Sequence, residues 1–112
     1  MGLFNIKVEG IVDKVEIVKY SAGLQITDIK LGFPDEATMI DIKGDDGKTY
    51  HGFIFGKAAV KKGSRILAVL KRSWNNRWAI VKSPSRTYLH MGVTASIGVT
   101  VYLEIRKDYR IT

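Results

Sequence analysis

Residues 3–19 read LFNIKVEGIVDKVEIVK, and the phase of their apolar positions decides the fold class. Phe4, Ile6 and Val8 alternate with polar residues in one phase, Ile11, Val15 and Ile17 alternate in the other, and the switch falls at Gly10. Alternation is the mark of an extended strand, because successive side chains leave opposite faces of the backbone. A slip of phase beside a glycine predicts a β-bulge at Gly10, which lets one long strand bend and serve two sides of a closed sheet.

The same alternation recurs along the chain. In VTASIGVTVYLEIR, residues 93–106, the apolar positions Val93, Ala95, Ile97, Val99, Val101, Leu103 and Ile105 predict a long antiparallel strand with one wet face. Gly98 is its bending point. Residues 24–31, LQITDIKL, predict another strand, followed by a loop through Pro34. ATMIDIK (37–43) and KTYHGFIF (48–55) flank GDDG, where Asp and Gly accept the positive φ of a tight turn, so these segments predict a hairpin. KAAVKK (57–62) predicts one short helical turn closed by Gly63. Residues 64–72 and 77–82 predict a last hairpin, with SPSRTYLHMG as a connection.

With 112 residues the chain fits one domain, residues 1–112, large enough to bury about two thirds of its unfolded surface. It has no cysteine, which excludes disulfides, thiolate zinc sites and cysteine nucleophiles. The first residues, MGLFNIKVEG, lack the basic and apolar regions of a signal peptide, and no apolar stretch suits a membrane span, so the expectation is an intracellular, cytoplasmic protein.

Many short strands with at most one short helix predict a small antiparallel β-barrel, because closure removes exposed edges. The order is a long bent strand, a hairpin, a short connection ending in glycine, and a second hairpin. In that order, residues 3–19, 37–55 and 63–82 resemble the oligonucleotide/oligosaccharide-binding (OB) fold. The sequence departs from it in an extra strand-like segment at 20–36, a shrunken middle helix and an additional strand at 93–106. An SH3-like barrel and a β-sandwich are the alternative all-β architectures.

Charge is distributed unevenly. Residues 57–86 hold nine cations, Lys57, Lys61, Lys62, Arg65, Lys71, Arg72, Arg77, Lys82 and Arg86, and no acid at all. The remaining residues hold nine cations against eleven acids, so the net charge of +7 belongs to this one segment. That asymmetry suits a polyanion partner bound through phosphate contacts. Both tryptophans fall in the same segment, in KRSWNNRWAIVK (71–82).

A two-residue turn at Asn75 and Asn76 places Trp74 beside Arg72 and Arg77 on one face and sends Trp78 to the other, toward the core. A three-residue loop puts both tryptophans on one face. Trp74 is the expected base-stacking platform under the first register, with Tyr50 as a second surface aromatic. Phe53 and Phe55 suit the core. The resemblance to OB proteins implies that a single strand lies across a sheet face and between two loops, with aromatics on bases and cations along phosphates. The expected function is therefore binding of single-stranded DNA or RNA with little sequence preference. Its expected contacts are Lys61, Lys62, Arg65, Lys71, Arg72, Arg77, Lys82 and Arg86 to phosphates, with Trp74 and Tyr50 stacking on bases.

An alternative from another class is an assembly module that pairs with a second copy through the strand at 93–106, as an exposed edge permits. Catalysis, metal and cofactor binding are not expected. His51 and His90 have no ligand-like spacing, and Asp28 and Asp41 meeting across strands make no acid/base pair without a cleft. GDDGKT lacks the length and the lysine placement of a phosphate-binding P-loop.

Overall fold

The computed structural model describes residues 3–19, 36–73, 78–83, 87–91 and 98–112, with side chains for residues 5–19, 36–71, 78–83, 87 and 98–112. Its strands are β1 (Leu3–Lys19), β2 (Glu36–Gly44), β3 (Thr49–Phe55), β4 (Arg65–Ser73), β5 (Trp78–Lys82), β6 (Thr87–Met91), β7 (Thr100–Glu104) and β8 (Arg110–Ile111). They form a single eight-stranded sheet in the order β6-β5-β7-β3-β2-β1-β4-β8. Neighbours run antiparallel except β3 and β7, which are parallel. The fold is all-β, and no helix occurs among the described residues.

β1 serves two neighbours, as its length suggested. Its first part pairs with β4, from Leu3 opposite Ser73 to Ile11 opposite Arg65, and its second with β2, from Gly10 opposite Gly44 to Lys19 opposite Glu36. The register shifts between Val12 and Lys14, so the bulge lies at Asp13 and not at Gly10. Val12 is accordingly the residue turned inward, 1% exposed, while Ile11 is 40% exposed. The expected phase of Ile11, Val15 and Ile17 is thereby corrected at both ends, since Ile17 is exposed as well and Val18 is buried. Gly10 meets a different need: a Cβ there would stand 2.1 Å from the Lys43 carbonyl oxygen, so β1 passes the end of β2 only without a side chain.

Alternation builds a core on each face of this sheet. Val8 and Val12 of β1, Ile40 and Ile42 of β2, Ile66, Ala68 and Leu70 of β4, Ile105, and Val60 from the β3–β4 connection make the first. Val18, Ala37, Met39, Phe53, Ile80 and Tyr102 make the second. β2 sends even positions to one core and odd positions to the other, which explains its nearly continuous burial. Each large side chain buried this fully contributes about 1.5–3 kcal/mol. Around the first core, an isolated bridge joins Leu70 of β4 to Ile105, just past β7, and the Arg106 amide donates to the Val69 carbonyl at 2.9 Å. Among the described residues no longer ladder joins β7 to β4.

The GDDG hairpin forms as expected, with the Gly44 amide bonded to the Lys48 carbonyl and Gly47 at φ 85°. Three other expectations are corrected. The helical turn over 57–62 is absent, since this segment runs without helix to a turn at Lys62 and Gly63. Thr38 explains why: its buried hydroxyl donates to the Gly56 carbonyl and accepts from the Ala58 amide, holding the segment extended while Val60 enters the core.

The hairpin between 64–72 and 77–82 is not formed either. β4 lies between β1 and β8, while β5 pairs with β6 from Trp78 opposite Met91 to Lys82 opposite Thr87. Both sides of β4 are thus taken, by β1 and by β8, and β5 finds its partners in β6 and β7. SPSRTYLHMG consequently contains a strand, β6, where only a connection was expected.

The strand at 93–106 is shorter in its described part. Gly98 sits in a turn at φ 84°, a left-handed conformation foreign to a strand, and β7 begins at Thr100. β7 lies between β3 and β5 in the sheet, pairing with β3 through Leu103 and Glu104 and with β5 from Thr100 to Leu103. The strand expected at 24–31, the loop through Pro34, the turn at Asn75 and Asn76, and residues 93–97 lie outside the described residues.

Candidate functional site

Of the ten residues the sequence points to, Trp74, Arg77 and Arg86 lie outside the described residues, as does the Arg72 side chain. The other six fall at separate places. Lys61 and Lys62, with Lys57, are exposed on the β3–β4 connection. Arg65 is hydrogen-bonded to Asp45 and reaches Glu9 at 3.2 Å. Lys71 stands 3.8 Å from Glu104, and Lys82 pairs with Glu16 at 2.5 Å. Tyr50 is half-buried against the first core, and its hydroxyl donates to Asp46. Its ring lies so close over Gly44 that a Cβ there would meet Cε1 at 2.9 Å.

The charge asymmetry along the sequence is therefore partly offset in space. Three cations of the acid-free segment meet carboxylates drawn from outside it. The Arg65 pairs are exposed and of a kind that contributes only about 0–1 kcal/mol, whereas the pairs of Lys71 with Glu104 and Lys82 with Glu16 are partly buried. The aromatics resolve more simply: Phe53 is fully buried, Phe55 packs on its edge at 5.0 Å between centroids, and Trp78 is half-buried against the second core.

A second constellation was not anticipated. On the face that carries the second core, five strands each contribute one polar side chain: Glu16 from β1, Asp41 from β2, His51 from β3, Lys82 from β5 and Tyr102 from β7. Asp41 and His51 are direct cross-strand partners, and Asp41 Oδ1 lies 2.8 Å from His51 Nδ1. Tyr102 is 5% exposed, packs its ring against His51 at 5.1 Å, and donates its hydroxyl to Asp41. Burial first, then that hydrogen bond and the charges of Asp41 and Glu16, push the Tyr102 hydroxyl well above the ordinary tyrosine range.

Lys82 and Glu16 complete the cluster. β5 and β1 are separated by β7, β3 and β2 in the sheet, yet their side chains meet, so the sheet curls strongly around its second face. The cluster is accessible at its rim, with Glu16 41%, His51 34% and Lys82 29% exposed at the side chain. Chemically it offers carboxylate acceptors beside an ammonium donor, with an imidazole ring fixed between Asp41 and Tyr102. Among the described residues no group of three or more His, Cys, Asp or Glu is placed to hold a metal ion.

Sequence reasoning weighed His51 for ligand spacing and Asp41 as an acid/base partner of Asp28, and missed the cluster. The available signal was one polar residue at an inward position of each apolar strand, Asp41 in ATMIDIK and His51 in KTYHGFIF. Among the described residues no helix is long and apolar enough to cross a membrane. No family model, no curated protein and no solved structure matches this chain.

Proposed function

We propose that the chain is an OB-like barrel with an inserted hairpin, and that it binds single-stranded DNA or RNA. The observation that carries this reading is the strand order β1-β2-β3-β7, with β3 and β7 parallel, together with the Leu70–Ile105 bridge that leads from β7 back to β4 and so to β1. A five-stranded, partly open barrel whose second and third strands present a ligand face is the OB plan, and the connections after its first and fourth strands flank that face. In this chain those connections are residues 20–35 and 74–99. The second begins at Trp74, two positions after Arg72 in the sequence, includes Arg77 and Arg86, and contains β5 and β6 as the insertion.

Exposed Lys57, Lys61 and Lys62 serve phosphates, joined by Arg72, Arg77 and Arg86, and Trp74 stacks on a base. Arg65, Lys71 and Lys82, each already facing a carboxylate, contribute less.

Fluorescence anisotropy with a labelled single strand of about 20 nucleotides tests the reading. Affinity is expected to fall steeply as salt rises from about 50 to about 200 mM. Trp74→Ala is expected to weaken binding roughly tenfold, the loss of one stacked base. Binding that is absent, or indifferent to salt, overturns the proposal.

A further inference from the structure

We infer that Glu16, Lys82 and His51 form a recognition site for an unpaired guanine. The inference rests on the single-strand reading above and departs from its indifference to sequence. Its starting point is a mismatch of charge. The cluster on the second face holds two carboxylates, Glu16 and Asp41, against one ammonium, Lys82, which is unsuited to a phosphate but suited to N–H donors. A polynucleotide carries such donors only on its base edges.

The arrangement selects among the bases. Glu16 and Lys82, 2.5 Å apart, present the acceptors of a carboxylate directly beside a donor. Guanine alone carries two adjacent N–H donors next to a carbonyl acceptor on its Watson–Crick edge. Its N1 and N2 groups pair with the Glu16 oxygens, and its O6 accepts from Lys82 Nζ. Uracil and thymine present one donor between two acceptors, and adenine and cytosine present a donor beside a ring acceptor that would face the carboxylate.

His51 supplies the third element. Its Nδ1 is engaged by Asp41 at 2.8 Å and its ring rests against Tyr102, so the imidazole is held in one orientation. With its side chain 34% exposed, it offers a flat surface for a splayed base on the same sheet face as the Glu16–Lys82 pair. Asp41 and Tyr102 act through His51 as positioning residues. Five strands supply this group, so its geometry is set by the sheet and not by a loop.

The test compares three labelled strands by anisotropy, in both deoxy and ribo series: an oligothymidine or oligouridine, the same strand with one central guanine, and the same strand with inosine there. The guanine strand is expected to bind about tenfold tighter, as one bidentate contact allows, with inosine losing most of that gain through its missing N2 amino group. Glu16→Gln is expected to abolish the guanine gain without weakening binding of the pyrimidine strand, since it only releases Lys82. Equal binding of all three strands by the native chain overturns the inference and leaves the single-strand reading standing. So does a guanine gain that survives Glu16→Gln. Absence of salt-sensitive binding to any strand overturns both.

Discussion

Gly52 of β3 faces the junction of β4 with the end of β7, and replacing it by alanine probes that junction directly. A Cβ at this position would stand 2.7 Å from Ile105 Cδ1 and Cγ1 and 2.7 Å from Leu70 Cδ2. Both neighbours are side chains at most 2% exposed, so neither can swing into solvent. Gly52 is not in the left-handed region, so the backbone itself accepts alanine. Two effects then compete. Alanine stabilises by about 0.4–1 kcal/mol through a less flexible unfolded chain, whereas overpacking a filled core costs about 1–3 kcal/mol. Clash prevails, with a net loss of about 1–2 kcal/mol and a fall in Tm of about 4 °C or more. Ile105→Val removes one of the three clashing atoms and costs about 0.5–1.5 kcal/mol by itself. Urea denaturation of both single variants and the double variant measures the coupling, and the double variant is expected to lose at least about 0.5 kcal/mol less than the sum. An unchanged or raised stability of Gly52→Ala, or strict additivity, refutes the packing described around the Leu70–Ile105 bridge.

Other perturbations read other parts of the molecule. Thr38→Val keeps the shape but strands the Ala58 amide without its acceptor, so chemical denaturation should show a loss of about 2–3 kcal/mol, most of it recovered by Thr38→Ser. Tyr102 ionises near pH 10 in the unfolded chain and higher in the folded one, so its contribution is fully present below that pH and lost above it. The native chain should lose about 1.4 kcal/mol per pH unit more than Tyr102→Phe above about pH 10, and parallel stability curves would contradict this. For nucleic acid, Lys61→Glu with Lys62→Glu should weaken binding and flatten the salt dependence by about two phosphate contacts, whereas Arg65→Ala, already engaged by Asp45 and Glu9, should leave both nearly unchanged.

Much of the fold was legible because alternation is a local signal. The long first strand, the GDDG hairpin, Phe53 as core and the all-β class all follow from period and turn chemistry within about ten residues. Partner choice was not legible. β4 and β5 looked like a hairpin because they adjoin in sequence, but β4 takes its partners from β1 and β8, and β5 takes β7, through contacts that no local pattern encodes. The bulge was misplaced by three residues, from Gly10 to Asp13, because Ile11 and Val12 are both apolar and burial alone distinguishes them. The cluster on the second face escaped for the same reason as the partner choices. Glu16, Asp41, His51, Lys82 and Tyr102 span 87 positions and meet only once five strands are in register.

The position of β7 sets an order on folding. β1, β2 and β3 pair with near neighbours in sequence along much of their length, and β5 with β6 forms a local hairpin, so both units can assemble early. They are joined only when β7 inserts between β3 and β5, and the first core is sealed only when Ile105 reaches Leu70. During synthesis the nascent sheet must therefore wait, with its first core exposed, until residue 105 has emerged. Such long-range closure makes folding slow and leaves the unfinished chain dependent on protection from aggregation.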